Sequence, residues 1–179
     1  MALFGKKHTS GSTAPASPVS ASRTEITAPV AGRAVPLGGI GDRVFATGLM
    51  GPGIGIVPSR GEVFAPVAGT VATAFPTGHA YGIRSAGGVD VLVHIGLDTV
   101  DLEGRGFVQQ VVQGQTVAVG DRLGTVDLDA VRAAGKDPVT IVVITNAHDL
   151  AAVVPGPAGD VEPGDTVITV RAETEPDAR

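Results

Sequence analysis

The 179-residue sequence has no cysteine, no tryptophan, and only five phenylalanines and one tyrosine. The absence of cysteine excludes disulfides, thiolate metal sites and a cysteine nucleophile in this chain. Because aromatic rings are scarce, valine, isoleucine, leucine and alanine must fill the core. Hydrophobic residues make up 43% of the sequence. This length and apolar content predict one domain with a sizeable core.

Positive charge and long apolar runs are also scarce. Lysine and arginine together number 13 against 18 acidic residues, a net charge of −5. That balance argues against a nucleic-acid partner, because no basic stripe is available to neutralise phosphates. No apolar run approaches the ~18 residues of a membrane span. The first residues, MALFGKKHTSGS, lack the apolar core of a secretory signal. We expect a soluble, cytoplasmic protein without stable membrane insertion.

Glycine and proline are abundant, with 26 and 13 copies. Many short strands joined by tight turns are expected, and therefore a nearly all-β domain. One short helix is predicted near residues 128–135, where Asp127 or Asp129 can cap LDAVRAA and Gly135 can end it. The run TIVVIT that follows is typical of a buried strand.

One short sequence occurs twice and a second recurs in altered form. APVAG is found at residues 28–32 and again at 65–69, and VAVGD at 117–121 is echoed by VEPGD at 161–165. These paired echoes predict a duplicated β-motif around a pseudo-twofold axis. The alternative is chance recurrence in a chain rich in alanine and glycine.

The composition changes at both ends of the chain. Residues 1–23 are rich in small and polar residues and predict a disordered arm. Residues 24–170 form the predicted domain. Residues 171–179 are expected to be a disordered tail.

Two histidines flank a turn signal. The sequence SAGG separates HAYGI from VDVLVHI, and the apolar residues of both runs alternate as in half-buried strands. A two-residue loop at 86–87 places His79 directly opposite His94, and a loop at 87–88 makes the pair diagonal on one face. A three-residue loop sends the rings to opposite faces, because a slip of one residue inverts a strand. We expect the two imidazoles to meet.

The surroundings of each histidine suggest a role. His94 faces outward, with a pKa expected near neutrality and a nitrogen available as nucleophile, and the carbonyl of Gly96 can fix its tautomer. His79, held by the Thr77 hydroxyl, can offer a hydrogen bond or positive charge to an anion. Asp98 orients a ring or pairs with a partner's cation, or is only a turn residue. A lone strand histidine is usually a solvated surface residue, so the second ring is what favours a site.

Other candidate sites are weaker. A closed zinc site needs three or four ligands, so His79 and His94 alone predict only adventitious zinc. The glycine-rich residues 51–55 lack the ending of a phosphate-binding loop and are interpreted as a turn. His148 is expected at an exposed strand end. No cofactor is expected.

Five stretches together resemble a known family. They are APVAGT at 65–70, TGHA at 77–80, VHIGLDTV at 93–100, GQ-x-V-x-VGD at 114–121 and PV-x-x-x-V at 138–143. They resemble the glucose-specific enzyme IIA components of the bacterial phosphoenolpyruvate–sugar phosphotransferase system, over about residues 24–170.

The resemblance implies a flattened antiparallel β-sandwich of the duplicated-hybrid type. It implies that His94 accepts a phosphoryl group at Nε2 from the histidine-containing phosphocarrier protein and passes it to a cysteine of a glucose-type IIB domain of a sugar permease. His79 is the supporting histidine and Thr77 its hydrogen-bonding partner. In the family the unphosphorylated form can inhibit other transporters, so regulated transporters or kinases are further candidate partners. Apolar residues that align with the docking face are Val44, Phe45, Leu49, Met50, Phe75, Tyr81 and Leu92.

Three features depart from the family. The arm is rich in serine and proline, whereas enteric members carry an amphipathic, membrane-touching helix. Arg43 falls in a docking region that is usually apolar, which would alter partner choice. Leu92 replaces a residue that is often aromatic, so a flatter patch is expected.

Two other functions compete with this interpretation. Zinc peptidases of the cell wall share duplicated-hybrid folds, but they need a His-x-His pair and an export signal, which this sequence lacks. A lipoyl- or biotin-carrier module needs a lysine at a hairpin tip. The only lysines, Lys6, Lys7 and Lys136, lie outside such turns.

Overall fold

The computed structural model describes residues 23–172. The predicted arm and tail therefore lie outside the described residues, except that the first strand begins at Arg23 and the last runs past residue 170 to Ala172. Within this part of the chain there are fourteen strands. They are β1 (Arg23–Thr27), β2 (Gly32–Pro36), β3 (Gly53–Pro58), β4 (Glu62–Phe64), β5 (Gly69–Ala74), β6 (Ala80–Ser85), β7 (Asp90–Ile95), β8 (Phe107–Gln109), β9 (Thr116–Val117), β10 (Arg122–Val126), β11 (Thr140–Ile144), β12 (Leu150–Pro155), β13 (Gly159–Val161) and β14 (Thr166–Ala172).

The strands form three sheets. The largest has eight strands in the order β13-β2-β3-β11-β7-β6-β5-β9, and the smaller sheets have the orders β1-β14-β12 and β4-β10-β8. The paired strands are antiparallel. The predicted all-β, antiparallel class is confirmed.

Apolar side chains pack on both faces of the eight-stranded sheet. In β11 every residue is buried, as the run TIVVIT predicted. Val142 and Ile144 join the main core, whereas Ile141 and Val143 join a second cluster on the opposite face. In β7 only alternate residues are fully buried. A fully buried valine or isoleucine side chain contributes about 1.5–3 kcal/mol, so the central strands are firmly held.

Two short helices complete the regular structure of residues 23–172, together with 3-10 turns. Helix α2 (Leu128–Ala133) begins at Asp127, whose carboxylate accepts hydrogen bonds from two backbone amides, and ends before Gly135 at φ +73°, as predicted. Helix α1 (Arg43–Ala46) was not predicted. Four residues are too few to show helical periodicity, so only the capping Asp42 marks it in the sequence.

The hydrogen bonds repeat across the predicted duplication. The Ala28 amide donates to the Asp165 carbonyl at 2.8 Å, and the Ala65 amide donates to the Asp121 carbonyl at the same distance. Each of these aspartates also closes its own turn with a side-chain oxygen 2.8 Å from a backbone nitrogen. The order of the large sheet reads the same from both ends when β13 is matched with β9, β2 with β5, β3 with β6 and β11 with β7. A pseudo-twofold axis therefore passes between β11 and β7, which confirms the predicted duplication.

Candidate functional site

The turn between β6 and β7 differs from both two-residue loops considered from the sequence. Ser85 pairs with Val89 through a 2.9 Å backbone hydrogen bond, so residues 86–88 form a three-residue loop. Ala80, not His79, lies opposite His94. The predicted direct pairing of the histidines is wrong by one residue.

The two imidazole rings nevertheless meet, with centroids 5.2 Å apart and planes at 80°. His79 lies before the first residue of β6, in a bend that follows Gly78 at φ +69°. Its side chain therefore escapes the strict alternation of the strand, which would have turned it away from His94. The bend, rather than the hairpin register, brings the rings together.

His79 is held from two sides. Thr77 Oγ1 lies 2.5 Å from His79 Nδ1, the contact predicted from the sequence, and the Phe75 ring lies 5.3 Å from the imidazole centroid. Only 5% of His79 is exposed. Burial lowers the pKa of His79, because the charged imidazolium is poorly solvated there. His79 is therefore neutral at physiological pH.

His94 is partly exposed on the outward face of β7, where the Phe45 ring lies 5.2 Å from its imidazole. Burial, followed by the proximity of His79, lowers the pKa of His94 to about 4. The expectation of a pKa near neutrality is wrong, because strand periodicity does not reveal that Phe45 and His79 cover the ring. A neutral imidazole keeps a lone pair available as nucleophile.

Backbone and carboxylate groups partly offset the lowering of the His94 pKa. A hydrogen-bonding contact with the Gly96 backbone, then the charges of Asp42 and Asp98, raise the pKa of His94. The Gly96 contact is weak, because His94 Nδ1 is buried and makes no well-aligned hydrogen bond among residues 23–172. We regard Gly96 as adjacent to the ring rather than fully bonded to it.

Of the two carboxylates near His94, the sequence analysis singled out Asp98 but not Asp42. Asp98 is exposed, adopts a left-handed conformation at φ +54° and directly precedes the 3-10 turn Thr99–Leu102. Asp98 is thus a turn residue whose charge also acts on His94, and its predicted roles in orienting a ring or pairing with a partner's cation stay predictions. Asp42 was missed. It caps α1 through bonds to the amides of Val44 (2.7 Å) and Phe45 (3.1 Å), and a capping pattern was the only signal for it.

The predicted docking face is only partly exposed. Leu92 is half-buried, and four apolar side chains of the predicted face are exposed, here called the apolar rim: Val44, Leu49, Met50 and Phe75. Phe45 is buried in the second cluster, where it forms the wall of the site against His94. Tyr81 is only 1% exposed, and burial raises its pKa to about 12. Its assignment to the docking face is wrong, because the alternation of β6 points it into the main core.

Three further residues were singled out from the sequence: His148, Lys136 and Arg43. His148 is exposed and sits beside Asp149, as expected for a strand end. Lys136 forms an ion pair with Asp101 at 2.6 Å, after α2 rather than at a hairpin tip. Arg43 is exposed and makes no ion pair within the described chain. Residues 23–172 contain no group of three histidine, cysteine or acidic side chains able to hold a metal.

None of the helices in residues 23–172 has the length and apolar character needed to cross a bilayer.

The part of the chain that carries both histidines matches a known protein family. The model of the family "phosphoenolpyruvate-dependent sugar phosphotransferase system, EIIA 1" matches residues 24–150. The chain belongs to this family. It is an EIIA domain, a phosphoryl-carrying component of the sugar phosphotransferase system, as the sequence resemblance implied.

Curated relatives carry this EIIA domain within longer proteins. A glucose-specific EIICBA component of Streptococcus pneumoniae is 49% identical over 68% of this chain and 17% of the relative. A β-glucoside-specific EIIBCA component of Dickeya chrysanthemi is 47% identical over 75% of this chain and 21% of the relative. The β-glucoside-specific EIIBCA component of Bacillus subtilis is 41% identical over 83% of this chain and 24% of the relative. The chain thus spans about a fifth of the length of these relatives.

A solved structure shares the same fold. The glucose permease IIA of Mycoplasma capricolum superposes with a TM-score of 0.73 and 38% sequence identity, covering 83% of this chain and 96% of that one. The likeness confirms the β-sandwich architecture of an EIIA domain.

Proposed function

We propose that His94 is the phosphoryl-accepting residue of this EIIA domain, with Nε2 as the attacking atom. The observation that carries the proposal is the contact of two neutral imidazoles, one buried and held, the other partly exposed. Proximity of a second ring distinguishes His94 from an ordinary surface histidine. His8 lies outside the described residues, and His148 has no histidine neighbour among the aromatic contacts of residues 23–172.

The transfer step is a displacement at phosphorus. The lone pair of His94 Nε2 forms a new N–P bond as the N–P bond of the donor phosphohistidine breaks, and the donor imidazole leaves with that electron pair. The proton of His94 remains on Nδ1, on the side of the Gly96 backbone. In the next step a thiolate of the acceptor attacks phosphorus, an S–P bond forms, and His94 recovers its lone pair. The transition state is loose, so positioning and electrostatics govern the rate.

His79 stabilises the phosphoryl oxygens in this proposal. When the Thr77 hydroxyl donates to Nδ1 of neutral His79, the proton of that ring resides on Nε2 and can be donated to the phosphoryl group. The short Thr77 contact and the burial of His79 support this assignment, because both restrict the ring to one orientation. Asp98 stays exposed and available to a cationic side chain of a partner.

The proposed donor is the histidine-containing phosphocarrier protein, and the proposed acceptor is the cysteine of a glucose-type IIB domain. The named relatives combine EIIA with EIIB and EIIC in one protein, which supports an acceptor of the IIB class. Both partners would use the exposed apolar rim in turn, and a modest rim suits transient association. We place the functional domain at residues 24–170, in the cytoplasm. Regulated transporters or kinases remain candidate partners of the unphosphorylated form.

Labelling tests the acceptor residue. Incubation with phosphoenolpyruvate, enzyme I and the phosphocarrier should add one acid-labile phosphoryl group, seen by intact mass. His94→Gln should remove it, and the matched control His148→Gln should keep it. Undiminished labelling of His94→Gln would falsify the assignment.

Sugar class is tested separately. The relatives are named for glucose and for β-glucosides, and we propose the glucose type. Phosphorylated protein mixed with purified glucose-type and β-glucoside-type IIB domains should transfer faster to the former. A faster transfer to the β-glucoside type would reassign the sugar without affecting His94.

A further inference from the structure

The chain turns sharply directly after His94, and Thr99 closes this turn. Thr99 is fully buried, and its Oγ1 donates a hydrogen bond to the carbonyl of Ile95 at 2.5 Å. The same hydroxyl lies 3.5 Å from the carbonyl of Gly96. A buried hydroxyl thus joins the end of β7 to the start of the following 3-10 turn.

Backbone hydrogen bonds also fix the turn that follows His94. The Gly96 amide donates to the Val139 carbonyl at 2.9 Å, and the Leu97 amide donates to the Asp137 carbonyl at 2.8 Å. Gly96 has φ +78°, and a Cβ at this position would collide with the side-chain methyl of Thr99. Only glycine fits here, so the methyl of Thr99 packs against the backbone that carries the Gly96 carbonyl.

The Gly96 backbone acts on the His94 imidazole through a weak hydrogen-bonding contact. His94 Nδ1 is buried and makes no well-aligned hydrogen bond within the described chain, so this nitrogen has no stronger partner there. A neutral imidazole carries its proton on only one of its two nitrogens. A hydrogen-bond acceptor next to one nitrogen favours the tautomer that is protonated there. A Gly96 carbonyl held close to Nδ1 therefore favours the tautomer in which Nε2 bears the lone pair.

We propose that Thr99 is a positioning residue for phosphoryl transfer: its hydroxyl, bonded to the Ile95 carbonyl, holds the turn so that the Gly96 carbonyl faces His94 Nδ1 and leaves Nε2 unprotonated. The proposal rests on the proposed role of His94 as acceptor. Thr99 touches neither the donor nor the phosphoryl group and acts only through Gly96.

The test compares Thr99→Val, which removes the hydroxyl at nearly constant shape, with Thr99→Ser, which keeps it. The first readout is the pair of imidazole ¹⁵N shifts of His94 in the unphosphorylated protein, which report the tautomer. We expect Thr99→Ser to match wild type and Thr99→Val to shift toward the Nε2-protonated form. The second readout is transfer from the phosphocarrier, which should fall on the order of tenfold to a hundredfold in Thr99→Val, with KM for the phosphocarrier unchanged.

The proposal is overturned if Thr99→Val folds and has the wild-type ¹⁵N shifts of His94 and the wild-type transfer rate. It is also overturned if Thr99→Ser loses as much transfer rate as Thr99→Val. If Thr99→Val does not fold, Thr99→Ala is compared with Thr99→Ser, because these two variants differ only in the hydroxyl. Equal ¹⁵N shifts of His94 in the two variants would also overturn the proposal. The ring shifts are measured without any phosphoryl transfer. A failure of His94 as acceptor is therefore seen in the labelling experiment and is separate from a failure of Thr99 to set the tautomer.

Discussion

His94 and Val143 occupy equivalent positions in the two halves of the duplicated sheet, yet only one of them is accessible. The Ile95 amide donates to the His79 carbonyl, and the Ile144 amide donates to the carbonyl of Pro52 in the same manner. The preceding residues, His94 and Val143, lie opposite the first residues of β6 and β3. His94 is partly exposed, whereas Val143 is fully buried.

Unequal connections explain the difference. Residues 37–52 join β2 to β3 and contain α1, which helps cover Val143 in the second apolar cluster. Residues 75–79 join β5 to β6, and this short connection supplies Thr77 and His79 instead. The longer connection also contributes the Phe45 ring to the wall of the site. A duplicated scaffold thus becomes a single site through its loops, while the strands stay alike.

Among changes that separate the two halves of the sheet, replacing His79 should have the largest effect on phosphoryl transfer. His79→Asn removes the proposed hydrogen bond to the phosphoryl group, and the transfer rate should fall by about 10²–10³-fold, as for one oxyanion-stabilising donor. Affinity for the unphosphorylated phosphocarrier should stay near wild type, because His79 is almost fully buried. Rapid-quench kinetics and calorimetry measure the two quantities. Pro52→Ala, at the equivalent position, is the matched control, and an equal loss there would remove the functional distinction between the halves.

Truncating the two equivalent side chains should separate stability from function. Val143→Ala should lose about 2 kcal/mol of unfolding free energy by emptying part of a packed cluster, and should still accept the phosphoryl group. His94→Ala should lose less stability and all labelling. Urea denaturation and intact mass give both values. The contrast fails if Val143→Ala also abolishes labelling while folded.

Acid should destabilise the protein through His94. Its pKa is about 4 in the folded state and 6.5 in the unfolded chain, so the unfolded state binds more protons between these values. Unfolding free energy should therefore fall as pH drops from 6.5 toward 4, with a slope from this group of at most about 1.4 kcal/mol per pH unit. The difference between wild type and His94→Gln isolates the effect. Parallel stability curves for the two proteins would contradict the lowered pKa.

The smallest effect concerns the two matching turns. Asp121→Ala and Asp165→Ala each remove one side-chain hydrogen bond to a backbone amide at 2.8 Å. Each should cost about 1 kcal/mol of unfolding free energy, and the two losses should agree closely. Thermal and urea unfolding measure both. A large inequality would show that the halves are alike in geometry but not in energetics.

Local signals in the sequence predicted much of this architecture. The repeated APVAG and Gly-Asp turns revealed the duplication, and Asp127 with Gly135 bounded α2, because caps and turns depend on residues close in sequence. The loop at 86–88 was misjudged, because adjacent glycines permit several turn types and do not fix a register.

The site itself depended more on tertiary contacts. The turn signal and strand alternation marked His79, His94 and Thr77, and the resemblance added their roles, but the bend at Gly78 that joins the rings was not predicted. Tyr81 was assigned to the docking face from family alignment, whereas strand alternation within β6 assigns it to the core. The lowered pKa of His94 required Phe45, which is contributed by a connection far away in the sequence and has no periodic signal.

The charges around His94 have a consequence for the phosphorylated domain. The two charged groups that act on this ring are carboxylates, Asp42 and Asp98, and the neighbouring imidazole is uncharged. On the proposed role of His94, a dianionic phosphoryl group on Nε2 would be repelled by these two carboxylates. We therefore expect the phosphorylated domain to store the group poorly and to release it readily once a partner supplies a cationic side chain.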